Sequence, residues 1–144
     1  MEHLKLSNQI CFPLYATSRM VTKAYQPFLK ELGITYPQYL VLLVLWEQDG
    51  QTVNSISQTL FLETNTITPL LKRMEKAGIL TRSRSKKDER VVVVSLTEKG
   101  IEMKNQADQI PFKLIDALKD DPDVKENLFH LHSVLDQMLN SAKS

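Results

Sequence analysis

Apolar positions recur at helical spacing over most of the chain. Within residues 10–32, Leu14, Val21, Phe28 and Leu32 mark one helix face, and Gly33 closes the segment. Thr35-Tyr36-Pro37-Gln38 reads as a capping box. Thr35 takes the N-cap, Gln38 lies three residues on, and Pro37 sits in the first turn, where an N–H is unused anyway. The helix it opens carries the apolar run of residues 39–46 and ends at Asp49-Gly50. Thr52 caps a short helix through Leu60, and Thr64 caps another that runs to Ala77 and stops at Gly78. Pro69 removes one backbone hydrogen bond from that helix and predicts a local distortion.

The period then changes. Residues 79–84 and 90–96 are short strand candidates, the second rich in valine, joined by the polar turn Ser85-Lys86-Lys87-Asp88-Glu89. Thr97 caps a long helix through about residue 119, and Asp121-Pro122 starts the last one. In that helix Val124, Leu128, Leu131, Leu135 and Met138 form an apolar stripe that needs a partner surface. Four helices, a hairpin and two helices make a mainly α fold with a small β-hairpin wing, a winged helix-turn-helix. The expected organisation is one domain over 1–144, with residues 36–96 as its winged helix-turn-helix lobe.

A chain of 144 residues supports one domain with a core, and 42% hydrophobic with 24% charged residues is an ordinary globular balance. The longest apolar run is far short of the ~20 residues that cross a bilayer. The opening MEHLKLSNQ has no charged-then-apolar leader pattern, so a cytoplasmic protein without membrane contact is expected. One cysteine forms no internal disulfide and leaves a free thiol. No Walker-type or GxGxxG loop occurs. His130 and His132, two apart on a helix, face different ways, and His3 stands alone, so neither metal nor cofactor is expected. A thiol peroxidase needs turnover, and no resolving cysteine or acid–base partner accompanies Cys11, so an enzyme is not expected.

The net charge of +1 conceals an asymmetry. Residues 72–90 hold eight basic side chains (Lys72, Arg73, Lys76, Arg82, Arg84, Lys86, Lys87, Arg90) against three acidic ones, so the rest of the chain is net acidic. Such a segment suits a polyanion, although a solvated charge run has the same look. In a winged helix-turn-helix the helix from Thr64 to Lys76 enters the major groove. Thr64, Asn65, Thr66 and Thr68 offer short hydrogen-bonding side chains to bases and phosphates, and Lys72, Arg73 and Lys76 reach phosphates farther along. Arg84, Lys86 and Lys87 charge the wing. Arg90 is placed for the minor groove, with Asp88 holding its guanidinium by a charge-assisted hydrogen bond.

Asp88-Glu89-Arg90, the valines at 91–94 and Ser95-Leu96-Thr97-Glu98-Lys99-Gly100 resemble the wing signature of the MarR family. Thr68-Pro69-Leu70-Leu71-Lys72-Arg73-Met74-Glu75 extends the likeness, which covers essentially the whole chain. It implies an obligate homodimer in which residues 1–32 and 98–144 interlock, and a double-stranded operator with an inverted repeat.

Leu6-Ser7-Asn8-Gln9-Ile10-Cys11-Phe12, with Tyr15, Tyr25 and Thr35-Tyr36-Pro37-Gln38-Tyr39, resembles the one-cysteine organic hydroperoxide repressor branch. The resemblance implies that Cys11 is a peroxide-reactive thiol and that Tyr25 and Tyr36 donate hydrogen bonds to it across the dimer interface. Phe12 and Tyr15 are candidate pocket walls. A helix start near Phe12 places Cys11 at a positive helix end. Phenolic donors stabilise the thiolate that attacks the peroxide, and the sulfenic acid formed condenses with a low-molecular-weight thiol. The expected function is a repressor that releases DNA on thiol oxidation. A MarR repressor released by a small aromatic ligand, a broader thiol-based global regulator and a protein-binding winged helix are the alternatives. Glu63-Thr64-Asn65 stands where such relatives carry Asp-Ser-Gly, and no second cysteine is present to resolve an intersubunit disulfide.

Overall fold

The computed structural model describes residues 1–9, 11–117 and 122–141, with the side chains of 117 and 122–129 left out. Two short 3-10 turns, Glu2–Leu4 and Leu6–Asn8, precede α1 (Cys11–Glu31) and α2 (Tyr36–Glu47). Then follow β1 (Gln51–Thr52), α3 (Val53–Leu60), α4 (Thr64–Lys76), β2 (Leu80–Arg84), β3 (Val92–Leu96) and α5 (Glu98–Ala107). Two more helices, α6 (Ile110–Ala117) and α7 (Pro122–Ser141), complete the described elements. The chain forms two compact units, Met1–Asp108 and Gln109–Ser144. The fold class expected from the pattern, a winged helix-turn-helix, is the one found.

The first unit is built around α2, which is apolar on nearly every side. Tyr39, Val41, Leu42, Val44 and Leu45 are all buried, as befits a central helix. Against them lie Ile56 of α3 and Ile67, Leu70, Leu71 and Met74 of α4, closed by Leu80 and Val94 of the sheet. Helix α2 opens as expected: Gln38 Oε1 accepts from the Thr35 backbone N–H at 2.8 Å. Thr52 caps α3 by accepting the Ser55 N–H at 3.0 Å, and Thr97 caps α5 by accepting the Gly100 N–H at 3.2 Å.

Three of the helices, α1, α3 and α4, end by one device. After α1, the Gly33 N–H donates to Lys30 and the Ile34 N–H to Leu29, both at 3.1 Å; after α4, Gly78 and Ile79 donate in the same way to Glu75 and Met74. Both glycines have positive φ. At the end of α3 the same turn is made by Phe61 with φ 53, a conformation costing a side-chain-bearing residue roughly 1–2 kcal/mol. Leu62 C=O is held there by the buried Ser57 hydroxyl.

Several expectations need correction. Thr64 is the first residue of α4 and not its cap; Glu63 occupies the N-cap without a side-chain bond. The wing has three strands in the order β1-β3-β2, because the two residues Gln51 and Thr52 pair antiparallel with Val94 and Val93. The hairpin β2–β3 pairs Leu80 with Leu96 through to Arg84 with Val92. The long helix after Thr97 is two helices, broken at Asp108-Gln109. Pro111 lacks the N–H that a continuous helix needs for Ala107 C=O, and it is accommodated in the first turn of α6. The expected end near residue 119 and the cap at Asp121 fall outside the described residues, as do the side chains of Val124 and Leu128. Of the rest of that stripe, Leu131 and Met138 are exposed and Leu135 is half-buried. No single helix among the described residues is long and apolar enough to cross a membrane.

Helix α5 starts tight against the end of α4. A Cβ on Gly100 would run into the Ile79 carbonyl oxygen and crowd Leu96 Cδ2. Gly100→Ala is expected to destabilise the fold by about 1–3 kcal/mol, read as a lower denaturation midpoint at fixed protein concentration. An unchanged midpoint would show that this contact does not constrain the fold.

Candidate functional site

Two regions carry the expected chemistry. Cys11 is the first residue of α1 and its thiol is exposed. Pro13 fits in the first turn of α1, so Cys11 lies at the positive, N-terminal end of the helix dipole, as expected. Phe12 and Tyr15 beside it are also exposed. Tyr15 turns to Arg19, accepting from Nη1 at 3.3 Å with the guanidinium 5.7 Å from the ring centroid.

Tyr25 and Tyr36 come together far from that thiol. Their ring centroids lie 4.9 Å apart, and Tyr39 joins them at 5.8 Å from Tyr25 and 6.5 Å from Tyr36. Burial, and then the neighbouring phenols Tyr36 and Tyr39, push Tyr25 up to about 12. Burial also raises Tyr36, and burial followed by Tyr36 raises Tyr39. All three are therefore proton donors throughout the physiological range. Tyr39, buried within the apolar run, was not among the expected residues; its spacing of three from Tyr36 on one helix was the available signal. Cys11 and Tyr25 are fourteen residues apart on α1, about 21 Å at 1.5 Å per residue. One chain does not join thiol and phenols.

The second region is the basic face. Ile67, Leu70, Leu71 and Met74 take the inner side of α4, which turns Asn65, Lys72, Arg73 and Lys76 outward. Thr64 and Thr66 are exposed as well, while the Thr68 hydroxyl donates back to Thr64 C=O at 2.7 Å. Pro69 also lies on the outer face, and α4 runs through it unbroken. A cleft of about 410 Å³ lies between α3, α4 and the wing, with Thr52, Asn54, Thr64, Thr68, Arg82 and Arg90 among its walls.

Glu75 ties the wing to α4. Its Oε2 accepts from Arg82 Nη2 at 2.7 Å and Nε at 3.0 Å, and its Oε1 accepts the Arg82 backbone N–H at 3.0 Å. The Arg82 side-chain hydrogen bonds hold the Glu75 carboxyl below the usual range. This tie is thus present above the ordinary carboxylate range and is lost as pH falls through the lowered value.

At the wing tip Asp88 does not hold the Arg90 guanidinium as expected. Its Oδ1 accepts the Arg90 backbone N–H at 3.0 Å, because an aspartate two residues upstream closes a local turn more readily than it reaches an outward side chain. Arg84 braces the tip, donating to Glu89 C=O at 3.1 Å. The side chains of Lys86, Lys87 and Arg90 extend into solvent. No three of His, Cys, Asp and Glu converge among the described residues.

Residues 23–107 match the family described as transcriptional regulator SarA/Rot. The organic hydroperoxide resistance transcriptional regulator of Bacillus subtilis (strain 168) is 47% identical over 138 residues, spanning 95% of this chain and 94% of that protein. Reduced AbfR bound to DNA superposes with a TM-score of 0.80 at 36% identity, over 100% of this chain and 99% of that one; AbfR comes from Staphylococcus epidermidis. A MarR family regulator from Rhodococcus sp. RHA1 has the same fold, with a TM-score of 0.80 at 23% identity over 94% of this chain and 96% of its own.

The tyrosine cluster is directly measurable. Followed by phenolate absorbance, Tyr25→Phe is expected to remove an ionisation near pH 12. The cluster favours the folded state below the ordinary tyrosine range near 10 and ceases to do so as pH rises through about 12. Tyrosines that all ionise near 10 would show that the cluster does not form.

Proposed function

We propose that this chain, which belongs to the SarA/Rot family of transcriptional regulators and has the MarR-type winged-helix fold, is a DNA-binding repressor that senses organic hydroperoxides through Cys11. The observation that carries the reading is the exposed thiol at the α1 N-terminus, in a chain whose three clustered phenols stay protonated. Its relatives are transcriptional regulators, and its role is regulatory rather than enzymatic.

The chemistry is short. The Cys11 thiolate attacks one peroxide oxygen, an S–O bond forms, the O–O bond breaks, and the alkoxide leaves and takes a proton to become an alcohol. The resulting sulfenic acid condenses with a low-molecular-weight thiol to give a mixed disulfide and water. Phenolic donors that stabilise the thiolate lose their acceptor when it is oxidised. Because α1 separates Cys11 from Tyr25 by about 21 Å, those donors come from a second copy of the chain. The exposed Leu14 and Met20 of α1 and Leu131, Val134 and Met138 of α7 supply apolar surface for such a homodimer. In this arrangement 36–96 is the DNA-binding lobe, and 1–32 and 98–144 form the dimerisation region. The operator is an inverted repeat, and the site of action is the cytoplasm.

On DNA, α4 occupies the major groove with Thr64, Asn65, Thr66 and Thr68 toward bases and phosphates. Lys72, Arg73 and Lys76 follow the backbone. Arg84, Lys86 and Lys87 add positive charge at the wing, and Arg90 enters the minor groove, where the potential favours a guanidinium. A second reading, release by a small aromatic ligand, rests on a cleft of about 540 Å³ bounded by Thr22, Gln26, Leu29, Ile34, Tyr36 and Pro37.

Fluorescence anisotropy on DNA from upstream of the protein's own gene separates the two. An organic hydroperoxide with a small thiol is expected to release the wild type and leave Cys11→Ser bound. If neither protein responds while both bind, Cys11 is not the sensor and the ligand reading stands. Arg90→Ala is expected to weaken binding by roughly 1–3 kcal/mol; unchanged affinity at moderate salt would remove Arg90 from the interface.

A further inference from the structure

Trp46, near the end of α2, is absorbed by neither the thiol chemistry nor the DNA-facing side chains. Its ring meets Tyr39 edge-on, with centroids 6.3 Å apart, and Tyr39 in turn lies against Tyr25 and Tyr36. Its indole Nε1–H donates to Gly100 C=O at 2.9 Å, across 54 residues of sequence. Lys104 of α5 donates to Trp46 C=O at 3.2 Å, a second tie between the same helices.

Gly100 belongs to a helix start that grips the end of α4. The Thr97 N–H donates to Ile79 C=O at 3.1 Å, and the Thr97 hydroxyl donates to Gly78 C=O at 2.7 Å. Lys99 Nζ donates to Ala77 C=O at 2.8 Å. The carbonyls just past α4 are thus held by the first turn of α5, which is tied to α2 at Trp46 through the indole N–H to Gly100 and through Lys104 to the Trp46 C=O. A continuous chain of contacts runs from the phenols through Tyr39, Trp46 and Gly100 to the DNA-facing helix.

We infer that Trp46 is the positioning residue that couples the phenol cluster to α4. The inference rests on the proposed sensing by Cys11. When oxidation removes the thiolate, the phenols repack, Tyr39 shifts against the indole, and the Nε1–H bond to Gly100 carries the change to the α5 start and so to the end of α4. Coupling of this kind is a difference in operator affinity between the reduced and oxidised forms.

The experiment compares operator affinity before and after Cys11 oxidation, confirmed by intact mass, in the wild type and in Trp46→Phe, which keeps a ring and removes the N–H. The expected result is a reduced-form affinity within about twofold of wild type, an unchanged rate of Cys11 oxidation, and an oxidised-to-reduced ratio of dissociation constants smaller by roughly 2- to 30-fold. A ratio equal to that of the wild type overturns the inference, as does a loss of reduced-form affinity with the ratio intact, which marks a structural role only.

Trp46 is the chain's one tryptophan, so its emission in the wild type is a readout that needs no variant. It is expected to shift on oxidation, and unchanged emission during full DNA release overturns the coupling even if Trp46→Phe does not fold. Oxidised wild type that stays on DNA overturns the sensing reading itself and the coupling with it.

Discussion

The length and rigidity of α1 constrain everything else. A helix rises 1.5 Å per residue and cannot fold back on itself. With Cys11 at its first residue and Tyr25 two-thirds of the way along, the thiol and that phenol are kept about 21 Å apart on one rod. Either they are unrelated, or the unit that does the chemistry contains two chains. The exposed apolar residues near the thiol end of α1 and along α7 favour two chains, because such surface is expensive to leave in water. On the proposed reading the chemistry lies between two chains, so altering the thiol would disturb the contact that sets the spacing of their winged lobes.

The winged lobe is cross-linked by side-chain hydrogen bonds between α4 and the wing. Glu75 places a carboxylate among Lys72, Arg73 and Lys76, where it accepts three hydrogen bonds from Arg82 and fixes β2 against α4. Asp88 and Arg84 spend their polarity on the wing backbone, leaving Arg90 free to project. The first turn of α5 closes the lobe from behind. Some charge is committed to rigidity so that the rest is presented at fixed spacing.

Much of this was legible in sequence because it is written in local chemistry. Thr35, Thr52 and Thr97 mark helix starts through their own hydrogen bonds, and Gly33 and Gly78 mark ends through positive φ. The valines of β3 declare a strand. What was not legible depends on distant partners. Two residues, Gln51 and Thr52, are too few to show a strand period, and they pair only because β3 passes beside them. The break before α6 was signalled by Pro111 but obscured by the apolar spacing around it. Tyr39 and Trp46 sit in a run that reads as plain core; the spacing of three from Tyr36 is the only hint of the first, and only the fold reveals that the second reaches Gly100. Asp88 beside Arg90 suggested an ion pair, and the backbone claimed the carboxylate instead.

The central claim is that thiol and phenols meet between chains, and complementation in mixed dimers tests it most directly. Cys11→Ser chains supply phenols without a thiol, and Tyr25→Phe/Tyr36→Phe chains supply a thiol without those phenols. Mixing them creates one site with both. The account predicts that Cys11 in the mixed dimer reacts with an organic hydroperoxide at the wild-type rate, well above its rate in the double-phenylalanine homodimer. A mixed dimer no faster than that homodimer would contradict it.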